Sequence, residues 1–413
     1  MVPSERHDVV IVGAGHGGTH SAVVLRQRRF AGTIAVITEE LDLPYERPPL
    51  SKEYLSGERP FERILLRPER FWQERGIAFR LGARVVGVDA VERTVSLSTG
   101  ETVGYGDLVW AAGGQPRMLT CSGADLRGVH TLRSRRDADR LREELPSTQH
   151  VAVVGGGYIG LEAAASLRKL GKEVSVIEAL DRVLSRVAGE PLSRFYEAEH
   201  RAHGVDVLLA SKIQCIEGRN GRASGVRLAR GPVIAADMVI LGIGISPVCE
   251  PLIAAGARGG NGVAVDEYTR TSLPHVYAIG DCALHANVHA AGSTVRLESV
   301  QNACDMATTV AKAITGELEP YRAVPWFWSN QYDLSLQTVG LSMHYEDTVV
   351  RGDPGARSFS VIYRREGRVI ALDCVNAPKD FIQGRTLVQK RVVVERSALA
   401  DPSVTLKELC VRS

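Results

Sequence analysis

The fold of this protein is decided by residues 7–27, which read HDVVIVGAGHGGTHSAVVLRQ. An apolar run at residues 9–12 leads into Gly13, Gly15 and Gly18, spaced as G-x-G-x-x-G, and a helical pattern follows. In this spacing the first glycine permits a tight turn, the second lets a pyrophosphate approach, and the third lets helix and strand pack closely. The stretch therefore predicts a strand, a phosphate-binding turn and a helix of a dinucleotide-binding domain.

A second apolar strand, TIAVI at residues 33–37, precedes Glu39. Glu39 lies about 20 residues beyond the third glycine, where a carboxylate that binds the ribose of a dinucleotide is expected. Strand, glycine turn, helix, second strand and terminal acid thus form one complete unit.

The same unit returns in residues 150–179, HVAVVGGGYIGLEAAASLRKLGKEVSVIEA. Its glycines are Gly155, Gly157 and Gly160, and Glu178 ends its second strand. Glycine turns with a purely structural role are the alternative, but two complete copies argue against it. The copies are about 140 residues apart, which predicts two separate domains. Two dinucleotides in one chain suggest a flavin and a nicotinamide, because hydride passes between them.

Glu178 bears on the choice of nicotinamide. A carboxylate at this position accepts hydrogen bonds from ribose hydroxyls and repels a 2′-phosphate, which favours NADH. Arg182 follows closely and would weaken that preference if it reached the same site. A solvated charge at the end of a strand is the alternative interpretation of Glu178.

Composition narrows the class of protein. The 413 residues are 44% hydrophobic and 24% charged, with a net charge of +2, which gives no sign of a nucleic-acid binder. No stretch resembles a signal peptide or an apolar membrane span, so we expect a cytoplasmic protein without membrane contact. The seven cysteines are scattered without a C-x-x-C pair, and none precedes Cys121, which indicates reduced thiols.

Further motifs carry a resemblance to a known family. Residues 269–284, TRTSLPHVYAIGDCAL, resemble the second flavin-binding segment of flavoprotein reductases that bind two dinucleotides. Residues 108–117 and 238–247 resemble the crossovers between the two domains of that family. Residues 43–55, 296–316 and 324–340 are most similar to its ferredoxin and putidaredoxin reductase branch, relatives of apoptosis-inducing factor.

The resemblance implies an α/β fold with two Rossmann-like dinucleotide-binding domains and a C-terminal α+β domain. It places an FAD domain at residues 1–115 and 248–325, an NADH domain at 116–247, and the C-terminal domain at 326–413.

The resemblance also implies roles for individual residues. Lys52, in the segment PPLSK, would lie beside the flavin ring and pair with Glu162, so that a cation stabilises the charge arriving with the hydride. A solvated lysine and an acid that only complements a helix dipole are the alternatives. Arg47 would contact the FAD pyrophosphate or its surroundings, and Asp281 would bond the ribityl chain.

Glu298 would lie near the edge shared by nicotinamide and flavin. Trp326 and Trp328 alternate along a predicted strand and should face the same side. The resemblance places Trp328 between the flavin and a docked ferredoxin, and core packing is the alternative for it; we expect Trp326 in the core.

These features together predict an NADH:ferredoxin oxidoreductase that passes electrons from NADH through FAD to a [2Fe–2S] ferredoxin, which feeds an oxygenase. An NADH oxidase or quinone or dye reductase on the same fold remains open, as does a signalling flavoprotein. A flavin disulfide reductase is excluded, because such an enzyme requires a reactive cysteine beside the flavin and this chain has none before Cys121. Surface positions are expected for Arg63, Arg67, His285 and His289, and no metal site is expected.

Overall fold

A computed structural model describes residue 3 and residues 5–411. By its contacts the chain divides into two compact units. The first unit comprises the chain up to Glu46, Phe61–Gln115 and Ser246–Pro325, and the second comprises Arg47–Pro60, Pro116–Ile245 and the chain from Trp326 onward. The segment that carries Lys52 therefore belongs to the second unit. The limits of the three domains proposed above stay a prediction.

The strands are β1 (Glu5–Val12), β2 (Ile34–Ile37), β3 (Ile77–Arg80), β4 (Val85–Asp89), β5 (Thr94–Leu97), β6 (Thr102–Trp110), β7 (Gly114–Pro116), β8 (Val129–Thr131), β9 (His150–Val154), β10 (Glu173–Ile177), β11 (Asp206–Leu208), β12 (Ile213–Arg219), β13 (Arg222–Leu228), β14 (Val233–Ala235), β15 (Met238–Leu241), β16 (Ile245–Pro247), β17 (Gly259–Gly260), β18 (Gly262–Val265), β19 (Val276–Ala278), β20 (Ala283–Ala286), β21 (Thr294–Val295), β22 (Trp326–Gln331), β23 (Leu334–Gly340), β24 (Asp347–Asp353), β25 (Ser358–Arg365) and β26 (Arg368–Val375).

The α-helices are α1 (His16–Gln27), α2 (Glu69–Glu74), α3 (Arg135–Glu144), α4 (Tyr158–Lys169), α5 (Glu190–Ala202), α6 (Glu250–Ala254), α7 (Val300–Ile314), α8 (Pro378–Lys390), α9 (Arg396–Ala400) and α10 (Leu406–Val411). Within residue 3 and residues 5–411, none of these helices has the length and apolar character needed to cross a bilayer.

The first unit is built on a sheet in the order β3-β2-β1-β6-β5-β4, with β19 paired to β6. Strands β1, β2, β3, β6 and β19 run parallel, while β5 pairs antiparallel with β6 and β4 pairs antiparallel with β5. Residues 9–12 of β1 are buried on both faces, as expected for a central parallel strand covered by helices. The glycine turn at residues 13–15 therefore lies at the carboxyl end of the sheet, where this architecture binds ligands.

The second unit contains the other parallel sheet, in the order β11-β10-β9-β15-β8. Its C-terminal part is a five-stranded antiparallel sheet in the order β22-β23-β26-β25-β24. One apolar core joins them, because Phe359 and Tyr363 of β25 belong to the same buried cluster as Leu161 of α4 and Leu192 of α5. The C-terminal strands thus complete the core around the second nucleotide helix, α4.

Candidate functional site

The first glycine turn has no room for side chains at two of its three glycines. Gly13 has a φ of +103°, and a Cβ there would lie 2.3 Å from the carbonyl oxygen of Ala111. A Cβ on Gly18 would lie 1.9 Å from the carbonyl oxygen of Gly13. Gly15 is the N-cap residue of α1 in an extended conformation, so the amide groups of the first helical turn follow it directly. This geometry agrees with a tight turn at Gly13 and close packing at Gly18, and the approach of a pyrophosphate at Gly15 stays a prediction.

In the second glycine turn, two glycines are required by close contacts with the backbone, and the third lies beside open space. A Cβ on Gly155 would lie 2.5 Å from the Gly242 carbonyl oxygen, and one on Gly160 would lie 2.1 Å from the Gly155 carbonyl oxygen. A Cβ on Gly157 would meet no atom of the described residues within 4 Å. Gly157 is the N-cap residue of α4, so the space beside it adjoins the positive end of the helix. These residues fit the pyrophosphate of a dinucleotide.

Glu178 is held at the same turn. Its carboxylate accepts hydrogen bonds from the backbone N–H groups of Gly156 at 2.7 Å and Leu180 at 2.9 Å. Arg182 donates instead to the carbonyl oxygens of Ala188 and Ser185 and to the Ser193 hydroxyl. Because its guanidinium is engaged beside the start of α5, it leaves the carboxylate of Glu178 as the charge at the end of β10.

Glu39, the corresponding acidic residue of the first unit, is held by fewer contacts and is more exposed to solvent. Glu39 follows β2, its side chain is half-exposed, and the Nε atom of Arg84 lies 3.9 Å from its carboxylate. Such a weak surface contact leaves lone pairs of the carboxylate for a ribose hydroxyl.

Asp281 and Glu298 of the first unit are linked through one arginine. Arg296 donates from Nη1 to the backbone carbonyl oxygen of Asp281 at 2.9 Å, and the same atom lies 2.7 Å from the Glu298 carboxylate. Asp281 lies in a short 3-10 helix, Gly280–Cys282, just beyond β19. Sequence reasoning missed Arg296, although it precedes Glu298 by only two residues.

Lys52 and Glu162 form the buried ion pair that the resemblance implied. Lys52 Nζ donates to Glu162 Oε2 at 2.6 Å and to the Pro48 carbonyl oxygen at 3.0 Å. The side chains are 12% and 2% exposed, so the pair lies largely out of water. Pro48 and Pro49 begin the 3-10 helix Pro48–Ser51, whose rigid turn delivers the lysine to α4.

Two serines complete the contacts of Glu162 and were not anticipated. Ser51 Oγ donates to Oε2 at 2.7 Å, and Ser329 Oγ of β22 donates to Oε1 at 2.7 Å. A buried carboxylate is stabilised when its lone pairs all accept hydrogen bonds. The signal available in the sequence was the position of Ser51 next to Lys52, since Ser329 is distant along the chain.

The other predicted residues of the second unit lie as follows. Arg47 donates from Nη1 to the Arg133 carbonyl oxygen at 2.9 Å. The rings of Trp326 and Trp328 have centroids 5.5 Å apart, so they share one face of β22 as the alternation predicted. Both tryptophans are partly exposed, and the expectation that Trp326 is a core residue is wrong. Ser329 points to the opposite face, towards α4.

Of the two histidines expected at the surface, His285 is buried and His289 is partly exposed. His285 is buried, and its Nε2 atom lies 3.1 Å from the Asn287 amide nitrogen, so the surface position expected for it is wrong. Packing of the Tyr321 ring edge-on against the imidazole, with centroids 5.2 Å apart, accounts for this burial. No group of three potential metal ligands occurs among the residues that the structure describes.

The thiols near the predicted flavin segment are unsuited to disulfide chemistry. Burial raises the pKa of Cys282, next to Asp281, to about 12, and burial raises the pKa of Cys304 to about 11. The thiolate is the nucleophile in thiol–disulfide exchange, so these side chains are poor candidates for it.

Comparison with known proteins settles the family. Residues 7–307 match the pyridine nucleotide-disulphide oxidoreductase family, and residues 326–410 match the reductase C-terminal domain. The chain belongs to the pyridine nucleotide-disulphide oxidoreductase family. The family resemblance, the fold class and the assignment as an oxidoreductase that the sequence predicted are thereby confirmed.

Two relatives similar to the chain over almost their whole length are named as ferredoxin reductases. The chain is 58% identical over 408 residues to a ferredoxin–NAD(P)(+) reductase of a Sphingomonas species, covering 98% of each protein. It is 57% identical over 403 residues to the ferredoxin reductase subunit of a 5,5′-dehydrodivanillate O-demethylase of a Sphingobium species, covering 97% of this chain and 98% of that one. Among solved structures, the covalent putidaredoxin reductase–putidaredoxin complex matches with a TM-score of 0.95 at 36% identity, covering 99% of each chain.

Proposed function

We propose that this protein is an NADH-dependent ferredoxin reductase with FAD as its resident cofactor and a [2Fe–2S] ferredoxin as its electron acceptor. The observation that carries the proposal is its likeness, over almost the whole of both chains, to a ferredoxin–NAD(P)(+) reductase. FAD, when bound, accepts a hydride from NADH and releases the two electrons singly to a one-electron acceptor. The ferredoxin in turn supplies an oxygenase.

The two glycine turns divide the dinucleotides between them. FAD uses Gly13, Gly15 and Gly18 with Glu39 on its adenosine ribose, and it is further held by Arg47, Asp281 and Glu298. NADH uses Gly155, Gly157 and Gly160 with Glu178 on its ribose. The engagement of Arg182 beside α5 supports NADH over NADPH, because it leaves the charge at this position negative.

Lys52 is the cation that opposes the negative charge delivered with the hydride, and Glu162 holds it in place. The ammonium is buried, and its carboxylate partner is fixed by hydrogen bonds from two serines. The positive charge is therefore already in position before the hydride is transferred. Trp328 is the aromatic residue on the route of the electrons to the ferredoxin. The proposed location is cytoplasmic, which rests on the sequence alone.

The test is an anaerobic two-step experiment. The purified yellow protein is mixed with NADH, the loss of flavin absorbance is followed, and an oxidised [2Fe–2S] ferredoxin is then added. We expect rapid bleaching by NADH and reoxidation of the flavin at the expense of the ferredoxin. Bleaching that ferredoxins fail to reverse, and that oxygen or a quinone does reverse, would instead assign the protein as an oxidase or quinone reductase.

A further inference from the structure

A series of hydrogen-bonded side chains extends from Glu162 away from Lys52. Ser329 Oγ lies 2.7 Å from Glu162 Oε1, and Gln331 Nε2 lies 3.2 Å from Ser329 Oγ. His200 Nε2 lies 2.8 Å from Gln331 Oε1. Tyr332 Oη lies 3.0 Å from His200 Nδ1 and ends the series. We call Ser329, Gln331, His200 and Tyr332 the donor series.

Three of the four members of the donor series are buried, and Tyr332 at its end is partly exposed. Ser329 and His200 are fully buried and Gln331 is 1% exposed, so water cannot substitute for a missing partner. Leaving a buried donor or acceptor unpaired costs about 1–3 kcal/mol. Each contact in the series must therefore join one donor to one acceptor.

Counting the available hydrogen atoms from Glu162 outward determines which side chain donates in every hydrogen bond of the series. A carboxylate that pairs with an ammonium can only accept, so the single hydroxyl hydrogen of Ser329 is donated to it. Ser329 must then accept from Gln331, which requires the amide nitrogen of Gln331 on that side and its oxygen facing His200. His200 must donate from Nε2, which leaves Nδ1 to accept the Tyr332 hydroxyl.

The environment of His200 agrees with a neutral ring. Burial, opposed by the hydrogen bond to Gln331 and assisted by the neighbouring His203, lowers the pKa of His200 to about 4. A neutral imidazole carries one ring hydrogen, and the count places it on Nε2.

We propose that His200 is a positioning residue of the reductase: as the Nε2–H tautomer it fixes the direction of the donor series, which in turn holds Glu162 oriented towards Lys52. The inference rests on the proposed function of the Lys52–Glu162 pair. Four donors aligned head to tail reinforce one another and end on one carboxylate oxygen. Helix α5 and strand β22 thus support a charge pair that neither of them touches with a charged group.

The first test reads the tautomer directly and needs no turnover. The holoenzyme is labelled with ¹⁵N-histidine, and the His200 signals are assigned by their loss in His200→Phe. Nitrogen shifts at pH 7 should show a neutral ring with hydrogen on Nε2. A ring with its hydrogen on Nδ1, or an imidazolium, would contradict the hydrogen count and overturn the proposal.

The second test asks whether His200 acts through Glu162. His200→Phe keeps a ring of similar size and removes both hydrogen bonds, so the bleaching of the flavin by NADH should slow by about threefold to tenfold. In a Glu162→Gln background the same substitution should have no further effect, because the charged carboxylate that the series holds towards Lys52 is gone. Equal slowing in both backgrounds, or none in the wild-type protein, would mean that His200 only packs.

Tyr196→Phe is the matched control for this substitution. Tyr196 is buried one turn earlier on α5, and its hydroxyl lacks a hydrogen-bond partner among the described residues. Removing that hydroxyl should leave the bleaching rate unchanged. A rate that falls as much as in His200→Phe would overturn the proposal in favour of general sensitivity of this helix.

Gln331→Glu tests the direction of the series without removing a ring. A carboxylate at residue 331 accepts from both neighbours, so the Ser329 hydrogen is drawn away from Glu162, and bleaching should slow by about tenfold. The control is Asn330→Asp, which adds the same charge at the exposed neighbouring residue of β22 and should leave the rate unchanged. Equal rates in the two variants would overturn the proposal.

The tests also separate this inference from the proposed function. Wild-type protein that NADH fails to bleach would overturn both. Wild-type protein that NADH bleaches and ferredoxin reoxidises, with unchanged rates in His200→Phe and Gln331→Glu, would overturn only the role of the donor series.

Discussion

The pair of Lys52 and Glu162 shows how single residues of this chain carry a buried charge. Neither side chain is accessible enough for water to solvate it, so each relies on the other and on fixed dipoles. Ser51 and Ser329 supply these dipoles to the carboxylate, and the Pro48 carbonyl oxygen supplies one to the ammonium. The stability of the pair is therefore a property of five residues rather than two.

Lys52→Met should destabilise the protein, because it leaves the Glu162 carboxylate buried without its cation. We expect a loss of about 2–3 kcal/mol in the free energy of unfolding, at or below the low end for a broken buried pair because the two serines remain. Adding Glu162→Gln should recover most of that loss. Urea unfolding of the three proteins measures both effects, and a double variant no more stable than Lys52→Met would argue against an ionic origin.

Glu178 offers a second prediction at the residue scale. Glu178→Gln keeps one oxygen to accept from one of the two backbone N–H groups, which donate to different carboxylate oxygens, and it removes the charge that repels a 2′-phosphate. The preference for NADH over NADPH should narrow by about tenfold, corresponding to about 1.4 kcal/mol. The ratio of kcat/KM for the two nucleotides measures it. Glu173→Gln, at the exposed start of β10, is the control, and an equal shift in both variants would remove Glu178 as the discriminator.

At the scale of elements, strand β26 carries a carboxyl group into the core of the second unit. Asp373 accepts a hydrogen bond from the Tyr363 hydroxyl of β25 at 2.5 Å, and that hydroxyl accepts from the Gly189 N–H just before α5. Burial raises the pKa of Asp373 from 3.8 to about 7, although the hydrogen bond from Tyr363 opposes this effect. The contact between the C-terminal sheet and α5 is thus linked to pH.

The sign of this linkage follows from proton binding. Between pH 4 and pH 7 the folded protein holds a proton on Asp373 that the unfolded chain has released, so stability falls as the pH rises through this window. The contribution lost is up to about 4 kcal/mol. Asp373→Asn should remove this dependence and make the protein more stable than wild type at pH 8.

Thermal unfolding of Asp373→Asn between pH 5 and pH 8 measures this effect. Asp353→Asn, an exposed carboxyl of β24 in the same sheet, is the control and should retain the wild-type dependence. Identical pH profiles for wild type and Asp373→Asn would show that Asp373 does not titrate in this window.

At the scale of the whole molecule, the function depends on electrons leaving the protein for a partner. Trp328→Ala should spare the reduction of a small dye by NADH and slow the reduction of ferredoxin by about tenfold or more, since only the second reaction needs a docked protein. Trp326→Ala removes a similar ring from the same face of β22 and is the matched control. Comparable loss of both activities in Trp328→Ala would assign Trp328 to packing.

Much of the architecture was predictable from local sequence patterns. Apolar runs ending in G-x-G-x-x-G specify strand, turn and helix over some 20 residues, and a Cβ at Gly13 or Gly155 would collide with backbone whatever surrounds it. The resemblance added the pairing of Lys52 with Glu162, which no local pattern contains. Glu178 was predictable because its distance from the third glycine is set by the length of one helix and one strand.

The tertiary structure alone decided which side chains surround these residues. Ser329 contacts Glu162, Gln331 contacts Ser329, and His200 contacts Gln331. These residues lie on β22 and α5, which are far apart along the sequence, so no periodic sequence pattern predicts the contacts. Burial of His285 and partial exposure of Trp326 likewise depend on what packs against them, not on their own type. The sequence by itself determined the two dinucleotide-binding domains, because strands and turns depend on residues close together in the chain. The direction of the hydrogen bonds to Glu162 depends instead on which distant donors the packing brings into contact with it.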